Sequence, residues 1–440
     1  MKSCMWMWTT VVSLFAALAM PLGMAAQDQE QQKQQPRYTV TDLGTLGGTF
    51  SVAGSINNRG WVDGYATVAG DQSEHAFLWR DGVMTDLGTL GGPNSVAYQS
   101  LNERGEVGGT AETLTLDPLG EDFCDFGTNL VCQPFLWQAG VMTPLPTLGG
   151  SNGDSKTFNN RGQVVGYAEN NTQDLNCNPP QVLDFEAVIW EPKQGKVKIK
   201  ELLPLPGDSV GIGFAINDKG QVVGITGSCS FGVVHAVLWQ NGAVTDLGNL
   251  GGTTDNWAEA INNQGQAVGW SNLPGDMTYH TFLWTEDKGM QDLGTLPGDF
   301  ASAGGGINSK GQVVGTSYDA GGNPRAFLWQ RRVMTDLNTL IPARSPLFLL
   351  DGNGINSRGE IVGDALQVST GEVHAYLATP CNGDPNDKTG CENGSEGTTA
   401  GGSAAGERMK ITLPENVRNL LRRQLARQHR LPALTATPRD

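Results

Sequence analysis

The sequence predicts an all-β protein: a seven-bladed β-propeller of four-stranded antiparallel blades with three-plus-one closure, followed by a short C-terminal helix. Two observations carry this prediction. Of the 440 residues, 60 are glycine and only 17% are charged, which suits many short strands joined by tight turns. A phrase also recurs along the chain, for example "HAFLWRDGVMTDLGTLGG" at 75–92 and "AVLWQNGAVTDLGNLGG" at 236–252.

Each copy of the phrase belongs to a longer unit, which is marked by an asparagine in stretches such as "INNRG" and "INSKG". Successive marker residues are 45, 57, 58, 45, 46 and 48 positions apart. A period in this range with several short strands per unit indicates propeller blades. The seven markers are Asn57, Asn102, Asn159, Asn217, Asn262, Asn308 and Asn356.

Each unit contains four predicted strands, called A to D. Strand A ends at "IN", strand B reads "QVVG", strand C reads "HAFLW" and strand D reads "VMTDL". Strands B and C are almost wholly apolar, as expected when both faces of a sheet are covered. In the A–B turn "N-x-x-G", we expect the asparagine side chain to hold a backbone amide while the glycine closes the turn. The alternative is a ring of ligand-binding amides.

The two ends of the repeat region are complementary. The chain opens on a D phrase alone, at 38–48, and the last unit ends on a C phrase, at 374–380, with no D phrase after it. Pairing the first strand with the last unit would complete seven blades and remove the open sheet edges.

The recurring "HAFLW", "DLGTLGG" and "IN..G.VVG" segments resemble the HAF repeat, a family of predicted extracellular bacterial proteins, over roughly 37–380. The resemblance implies export and a repeat fold, and it implies no activity. The His-Ala pair itself stands only at His75, His235 and His374. Its replacement in the other units argues against a shared metal-binding or catalytic role for this histidine.

Five segments follow from these patterns: a signal peptide (1–26), a Gln-rich linker (27–36), the propeller (37–380), a Cys-bracketed Gly-rich linker (381–406), and a basic amphipathic helix and tail (407–440). A positive start, an apolar stretch and small residues predict signal cleavage, with an uncleaved anchor as the alternative. No other stretch is long and apolar enough to span a membrane. We therefore expect a secreted protein, extracellular or periplasmic.

Charge limits the partners. The net charge is -16, which argues against nucleic acid because phosphate contacts need Lys and Arg. Residues 407–440 are basic, with eight Lys/Arg against three Asp/Glu. This helix could dock on the acidic propeller, on another anionic surface or on a partner protein.

Removal of the signal leaves six cysteines, an even number that predicts disulfides in an exported chain. Locality and blade adjacency favour Cys124–Cys132, Cys177–Cys229 and Cys381–Cys391. The main competitor joins Cys132 to Cys177 and Cys124 to Cys229. No CxxC pair is present, so we expect no zinc.

The sequence contains no recognisable catalytic motif. The paired glycines of "LGTLGG" do not lead into a helix with GK[ST], so we interpret them as turn residues rather than as a phosphate loop. The repeated aspartates of strand D lie in one register and are interpreted as solvated edge charges. We assign no catalytic residue, no metal and no cofactor, although carboxylates could still converge in a central funnel.

The B–C connections of the second and third units are long, at 112–133 and 169–186, and they lie on the same propeller face as the D–A loops. Binding function is commonly carried by such loops. The aromatic residues after the glycine pairs are candidates for stacking on a ligand, with packing against a neighbouring blade as the alternative. They are Phe50, Tyr98, Trp257 and Phe300.

The function favoured by the sequence is a non-enzymatic binding module for an extracellular glycan or protein, acting through its loop-rich face. The alternative is an extracellular hydrolase or lyase with its site in the central funnel, and a structural role in envelope or matrix is third. Converging carboxylates in the funnel would favour the enzyme, whereas a plugged funnel would favour binding.

Overall fold

The computed structural model describes residues 37–193, 196–381, 411–415, 417–421 and 423. The predicted signal peptide, the Gln-rich linker, nearly all of the Gly-rich linker and the end of the tail lie outside these residues. Within them the chain is all-β, built from short antiparallel strands, as the sequence predicts.

The N-terminal strand β1 spans Tyr38–Asp42. The first unit then comprises β2 (Gly47–Ile56), β3 (Val62–Val68), β4 (Glu74–Arg80) and β5 (Val83–Asp86). The second unit comprises β6 (Ser95–Val96), β7 (Val107–Leu116), β8 (Leu130–Gln138) and β9 (Val141–Pro144). The third unit comprises β10 (Gly153–Phe158), β11 (Val164–Gln173), β12 (Leu183–Lys193) and β13 (Lys196–Leu202).

The next three units repeat this order of four strands. The fourth comprises β14 (Val210–Ile216), β15 (Val222–Gly227), β16 (Val234–Gln240) and β17 (Ala243–Asp246). The fifth comprises β18 (Asn256–Ile261), β19 (Ala267–Asn272), β20 (Tyr279–Thr285) and β21 (Gly289–Asp292). The sixth comprises β22 (Ala301–Ile307), β23 (Val313–Tyr318), β24 (Pro324–Gln330) and β25 (Val333–Asp336).

The last unit is less regular. A 3-10 helix, Leu337–Thr339, leads into β26 (Leu347–Leu349), β27 (Gly354–Ile355), β28 (Ile361–Gln367) and β29 (Val373–Pro380). Units two to six each form a separate four-stranded sheet. The strands of the first and last units form one nine-stranded sheet, in which a single parallel bridge, Phe50 to Val373, connects the two units.

Strand β1 pairs antiparallel with β29, from Tyr38 opposite Pro380 to Asp42 opposite Tyr376. The N-terminal strand therefore occupies the fourth-strand position of the last unit, 331 residues before β29 begins. Tyr38 is only 1% exposed, so this strand contributes a buried aromatic side chain as well as backbone hydrogen bonds.

The burial of the strands follows their composition. Every residue of β14 and β15 is buried, whereas the fourth strand of the same unit, β17, is largely exposed. Glycine in strand B is required by close packing, because a Cβ on Gly64 would overlap the carbonyl oxygen of Val52. The C–D turn at Asp81 and Gly82 has positive φ at both residues, as the "DG" pair predicts.

The repeated asparagine has the structural role predicted for it. In the first unit, Asn57 Oδ1 accepts hydrogen bonds from the backbone N–H groups of Arg59 (2.9 Å) and Trp61 (3.1 Å), while Gly60 adopts φ +82°. The same contacts recur in the other units, so each asparagine closes its own A–B turn.

The asparagines also join successive units. Asn57 Nδ2 donates to the carbonyl oxygen of Asn102 at 3.0 Å, and Asn356 Nδ2 donates to that of Asn57 at 3.0 Å. The same bond links the third unit to the fourth, the fourth to the fifth, the fifth to the sixth and the sixth to the last. In the second unit, the amide of Asn102 instead donates to Glu106.

None of the helical residues in the described ranges forms a helix that is long and apolar enough to cross a membrane.

Candidate functional site

The four aromatic residues singled out from the sequence occupy different environments. Phe50 and Trp257 are buried, at 3% and 0% exposure, and pack against Tyr65 and Trp270. Phe300 is 51% exposed on the surface, and Tyr98 is partly buried. Of the four, only Tyr98 lines the pocket described below. Stacking of these rings on a ligand stays a prediction.

Two of the predicted disulfides are present. Cys124 is bonded to Cys132 within the long B–C connection of the second unit, and Cys177 is bonded to Cys229 between the third and fourth units. The competing connectivity, through Cys132–Cys177, is wrong. The predicted partner of Cys381, Cys391, lies outside the described residues.

The long connections of the second and third units are tied to each other. The Glu121 carboxylate accepts hydrogen bonds from the backbone N–H groups of Val182 (2.6 Å) and Leu183 (2.8 Å) and from the Gln181 side chain (3.0 Å). Glu121 is itself 1% exposed. Such buried contacts hold the two connections in one arrangement above the sheets.

Aromatic residues pack beneath these connections. Phe123 contacts Tyr167 at 5.6 Å between ring centroids, and Tyr167 contacts Phe185 at the same distance. The series continues through Phe231 to Trp257, at 6.1 and 6.4 Å. Rings from several units are therefore in contact on the loop-rich side, which explains why Trp257 is buried.

A small pocket opens where the first three units meet. Its envelope, including space open to solvent, is about 480 Å³. The lining residues come from strands of three units and from the disulfide-bonded connection of the second: Tyr65, Val96, Tyr98, Thr110, Phe123, Cys124, Asp154, Lys156 and Tyr167.

The charged groups of the pocket form a buried ion pair. Lys156 Nζ lies 2.7 Å from Asp154 Oδ2, and the two side chains are only 8% and 11% exposed. Both residues stand on β10, two positions apart, so their side chains leave the strand on the same side. The ammonium also lies over the ring of Tyr167, 5.9 Å from its centroid.

The protonation states follow from this environment. Burial opposes the charge on Lys156, but the Asp154 carboxylate, with Tyr167 and Glu259, outweighs it and raises the pKa of the ammonium. Burial, assisted by nearby carboxylates, raises the pKa of Tyr98 well above its usual value. The pocket therefore presents the ammonium of Lys156 and the neutral phenol of Tyr98 at neutral pH.

Lys156 occupies a position that varies between units. The residue three places before the repeated asparagine is Gly54, Gln99, Lys156, Phe214, Glu259, Gly305 and Asn353 in the successive units. Gln99 Nε2 donates to the carbonyl oxygens of Gly305 (3.0 Å) and Asn353 (3.3 Å), so the second unit is bonded directly to the sixth and the last. A side chain of the second unit therefore joins backbone groups of two units that are not its neighbours in sequence.

Two further buried carboxyl groups belong to the fold. Asp351 Oδ1 accepts a hydrogen bond from the backbone N–H of Asp364 at 2.7 Å, and Asp364 Oδ1 accepts one from Ala53 N–H at 3.1 Å. Burial raises the pKa of both groups. The bond from Ala53 to Asp364 joins the first unit to the last, and the bond to Asp351 lies within the last unit.

In the first, fifth and last units, the histidine of strand C pairs with the aspartate of strand D. His75 Nδ1 lies 2.9 Å from Asp86 Oδ2, and His280 pairs with Asp292 in the same way. His374 pairs with Asp42 of β1, again at 2.9 Å. The interpretation of these aspartates as solvated edge charges is therefore incomplete, because each of them joins two adjacent strands.

Four units depart from this pairing. The second has Gln133 and Pro144 at the two positions, and in the fourth His235 Nδ1 lies 3.1 Å from Asp208 Oδ2, outside strand D. In the sixth unit the histidine is replaced by Arg325, which contacts Asp336 at 3.0 Å. In the third unit both positions are acidic, Glu186 and Glu201. Burial and the carboxylates of Glu201 and Asp184 raise the pKa of Glu186 to about 8.

The C-terminal segment lies against the loop-rich side. Leu413 and Val417 are 2% and 3% exposed and pack on a cluster of the first and last units. The residues of this cluster include Phe50, Val52, Tyr65, Leu350, Leu366 and Val373. Helical residues are found at 415, 417–421 and 423. Tyr98 also packs against the cluster, so the segment borders the pocket.

Three docking surfaces were expected for the C-terminal segment. In the structure it packs on the strands of its own chain. The contact is apolar, and none of the salt bridges among the described residues involves residues 411–415, 417–421 or 423. Leu413 N–H donates to Asn323 Oδ1 at 3.2 Å.

No family model matches the chain, and no characterised protein sequence matches it. Solved structures with a similar arrangement include an acylaminoacyl peptidase from Pyrococcus horikoshii, with 12% identity, a TM-score of 0.45, and 77% of this chain and 53% of that chain covered. TolB from Acinetobacter baumannii has 12% identity and a TM-score of 0.35, with 82% and 68% covered. The Aleuria aurantia lectin AAL has 9% identity and a TM-score of 0.36, with 66% and 96% covered.

This chain thus spans about half the length of the peptidase. All three similarities have TM-scores below 0.5, so the function is argued from the site itself.

Proposed function

We propose that the seven four-stranded units are the blades of one closed β-propeller of the HAF-repeat type, exported from the cell, which acts as a non-enzymatic carbohydrate-binding module. Closure is supported by the pairing of β1 with β29 and by the asparagine bonds, which run from the last unit back to the first. Two disulfides fit an oxidising compartment.

The observation that carries the binding proposal is the buried Asp154–Lys156 pair inside a pocket with three tyrosines, Tyr65, Tyr98 and Tyr167. A binding site of this kind combines an apolar wall with a few fixed polar groups. Phenol rings offer an apolar face and a hydroxyl, while the ion pair offers a donor and an acceptor. This combination suits sugar hydroxyls set on an apolar ring.

The same groups argue against catalysis in this pocket. Hydrolysis of a glycosidic bond commonly needs two carboxyl groups, and the lining contains one, Asp154, which is held by Lys156 at 2.7 Å. A lyase would need a base, but the raised pKa of Tyr98 keeps that phenol protonated. The side chain of Gln99 across the inner strands further supports binding over a funnel enzyme.

The test is a glycan array followed by calorimetry, using residues 27–440 and a variant with Asp154→Asn and Lys156→Gln. Changing both residues avoids leaving one buried charge without its partner. We expect the double variant to fold and to lose at least about tenfold in affinity, the equivalent of one charge-assisted hydrogen bond. Val83→Ala, at an exposed C–D turn outside the pocket, is the matched control and should bind like the parent.

Unchanged affinity in the double variant would remove the pocket from the proposal. A hydrolysis and elimination screen on the same glycans completes the experiment. Reproducible turnover that copurifies with the protein would replace the binding module by the enzyme.

A further inference from the structure

Four side chains with metal-binding atoms converge where the third and fourth units meet. Each contributes one ligand atom, and these four atoms all lie within 4.8 Å of one another. Three of the residues belong to the third unit and one belongs to the fourth: Asp174, Cys177, Asp184 and Cys229. We call this set the interunit group.

Local structure brings the interunit group together. Asp174 directly follows β11 and Asp184 is the second residue of β12, so the two carboxylates stand at the two ends of one long connection. Cys177 N–H donates to the carbonyl oxygen of Asp174 at 3.1 Å, which places this cysteine in the turn that begins at Asp174. Cys229 lies in the B–C connection that follows β15. The spacing rule that argued against zinc could not detect this set, because 52 residues separate the two cysteines.

The interunit group contains an unsatisfied acceptor. Asp184 is 7% exposed, and its Oδ1 is buried without a hydrogen-bond partner. None of the salt bridges among the described residues joins a lysine, arginine or histidine to Asp174 or Asp184. A buried carboxylate oxygen with no partner costs free energy unless a cation or a proton satisfies it.

Hydrogen bonds from both units hold the Asp174 carboxylate in place. Its Oδ1 accepts from the backbone N–H of Asn176 at 2.8 Å, and its Oδ2 accepts from Ser209 Oγ at 3.0 Å. Ser209 Oγ in turn accepts from the backbone N–H of Cys229 at 3.3 Å. Such bonds orient metal ligands. Asp174 is only partly buried whereas the other three residues are buried, so an ion can enter on the Asp174 side.

The spacing suits a tetrahedral zinc ion. Zn–S bonds of about 2.3 Å and Zn–O bonds of about 2.0–2.2 Å place neighbouring ligand atoms roughly 3.3–3.8 Å apart. Small side-chain rotations bring the atoms of the interunit group to these separations once the two sulfur atoms are no longer bonded to each other. Thiolates select zinc over calcium and magnesium, which prefer oxygen ligands.

We propose that the interunit group binds one zinc ion in the reduced protein, so that zinc and the Cys177–Cys229 disulfide are alternative links between the third and fourth units. A dithiol reductant gives two electrons and two protons to the disulfide, whose S–S bond breaks while the reductant itself becomes a disulfide. Zinc then releases the two thiol protons to solvent and forms two Zn–S bonds without a change in its own oxidation state. A disulfide oxidant reverses both steps and releases the ion, because sulfur atoms bonded to each other offer no thiolate.

This inference is independent of the carbohydrate pocket. It is tested on residues 27–440 with serine at the other four cysteines, so that Cys177 and Cys229 are the only cysteines left. The protein is reduced with dithiothreitol, freed of it under argon, and titrated with ZnCl₂ against a chromogenic chelator and with CoCl₂. We expect one ion per chain in the reduced protein and no binding in the oxidised protein. Cobalt should show the near-ultraviolet thiolate band and the red absorption of tetrahedral coordination.

Zinc should also stabilise the reduced protein. At a hundredfold excess over the dissociation constant, the unfolding midpoint should rise by about 2–5 °C. The midpoint of the oxidised protein should not change. If the protein with four serines fails to fold, the parent with all of its cysteines reduced is compared with its oxidised form in the same way.

The decisive variant is Asp184→Asn, which keeps the side-chain volume and removes the buried charge. We expect the reduced variant to bind zinc at least about tenfold more weakly than the reduced parent. Asp174→Asn should show the same loss, and it decides the matter if Asp184→Asn fails to fold. Asp287→Asn, an exposed acid in the turn after β20, is the matched control and should bind zinc like the parent.

Zinc binding of equal strength by the oxidised and the reduced protein would place the ion elsewhere and overturn the proposal. The absence of zinc binding or of a thiolate band with CoCl₂ in the reduced protein would overturn it as well. So would equal zinc affinity in the parent and in the aspartate variants of the interunit group.

Discussion

On one side of the sheets, the A–B turns of successive units repeat the same asparagine contacts, and these contacts link most units to the next. On the opposite side, the B–C connections differ: the second and third carry insertions and a disulfide each, while the others are short. The pocket and the C-terminal segment lie with these variable parts.

The difference separates two tasks. The A–B turns can all use the same asparagine hydrogen bonds, because each unit contacts the next in the same way. A binding site needs groups found nowhere else in the molecule, and Lys156, Tyr98 and the Cys124–Cys132 connection each belong to a single unit. We therefore expect substitutions in the repeated A–B turns to lower the free energy of unfolding. Substitutions among the pocket residues should instead lower the affinity for the ligand.

The largest effect is expected from deletion of residues 37–48, which removes β1 and leaves the edge of β29 open. The strand contributes five paired residues and the buried Tyr38. Loss of one buried aromatic side chain alone costs about 3–5 kcal/mol. We expect a much lower urea midpoint and aggregation through the open edge. Deletion of 27–36 is the control, and a truncated protein that unfolds like the parent would contradict closure through β1.

A smaller effect is expected for Asn356→Ala. This change removes two bonds that close its own turn, the amide bond to Glu360 in the same turn and the bond to the Asn57 carbonyl oxygen. We therefore expect a loss of about 2–4 kcal/mol in the free energy of unfolding. Asn102→Ala is the matched control, because its turn bonds are the same but its amide donates within its own unit. Its loss should be about 1 kcal/mol smaller. Equal losses, measured by urea unfolding, would show that the bonds between units contribute nothing.

The smallest effect concerns the pH dependence of the His374–Asp42 pair. The hydrogen bond to Asp42 raises the pKa of His374 above its usual 6.5. The stabilisation that protonated His374 adds to the folded state is therefore fully present below pH 6.5 and is lost as the pH rises through the raised pKa. Although burial opposes it, the bond from His374 lowers the pKa of Asp42 below its usual 3.8. The stabilisation that ionised Asp42 adds to the folded state is therefore fully present above pH 3.8 and is lost as the pH falls through the lowered pKa.

His374→Gln should accordingly cost up to about 1 kcal/mol near pH 5.5 and less at pH 8.5, as expected for a partly exposed ion pair. The comparison is made by urea unfolding of parent and variant at the two pH values. An equal difference at both values would assign the effect to packing rather than to charge.

Much of the fold could be predicted because the repeat unit occurs seven times in the sequence. The period, the "N-x-x-G" turns and the apolar B and C strands each repeat, and a pattern seen in several units is hard to mistake. The two disulfides could also be predicted, because Cys124 and Cys132 are close in sequence and Cys177 and Cys229 lie in corresponding connections of successive units.

The candidate site was harder to predict from the sequence. The sequence led to the aromatic residues after the glycine pairs, but Phe50 and Trp257 are covered by other rings, and only Tyr98 reaches the pocket. The signal that could have found Lys156 was the variable position three residues before each asparagine, where charge is otherwise restricted to Glu259.

By itself, the sequence determined the strand order within each unit, the turn chemistry and the complementary ends, because these depend on local residue types and on a short period. The tertiary structure alone decided which side chains from different units meet. Asp154 and Lys156 acquire Tyr65 and Tyr98 as neighbours only when three units pack together. Burial and electrostatics depend on those neighbours, which are far apart along the chain.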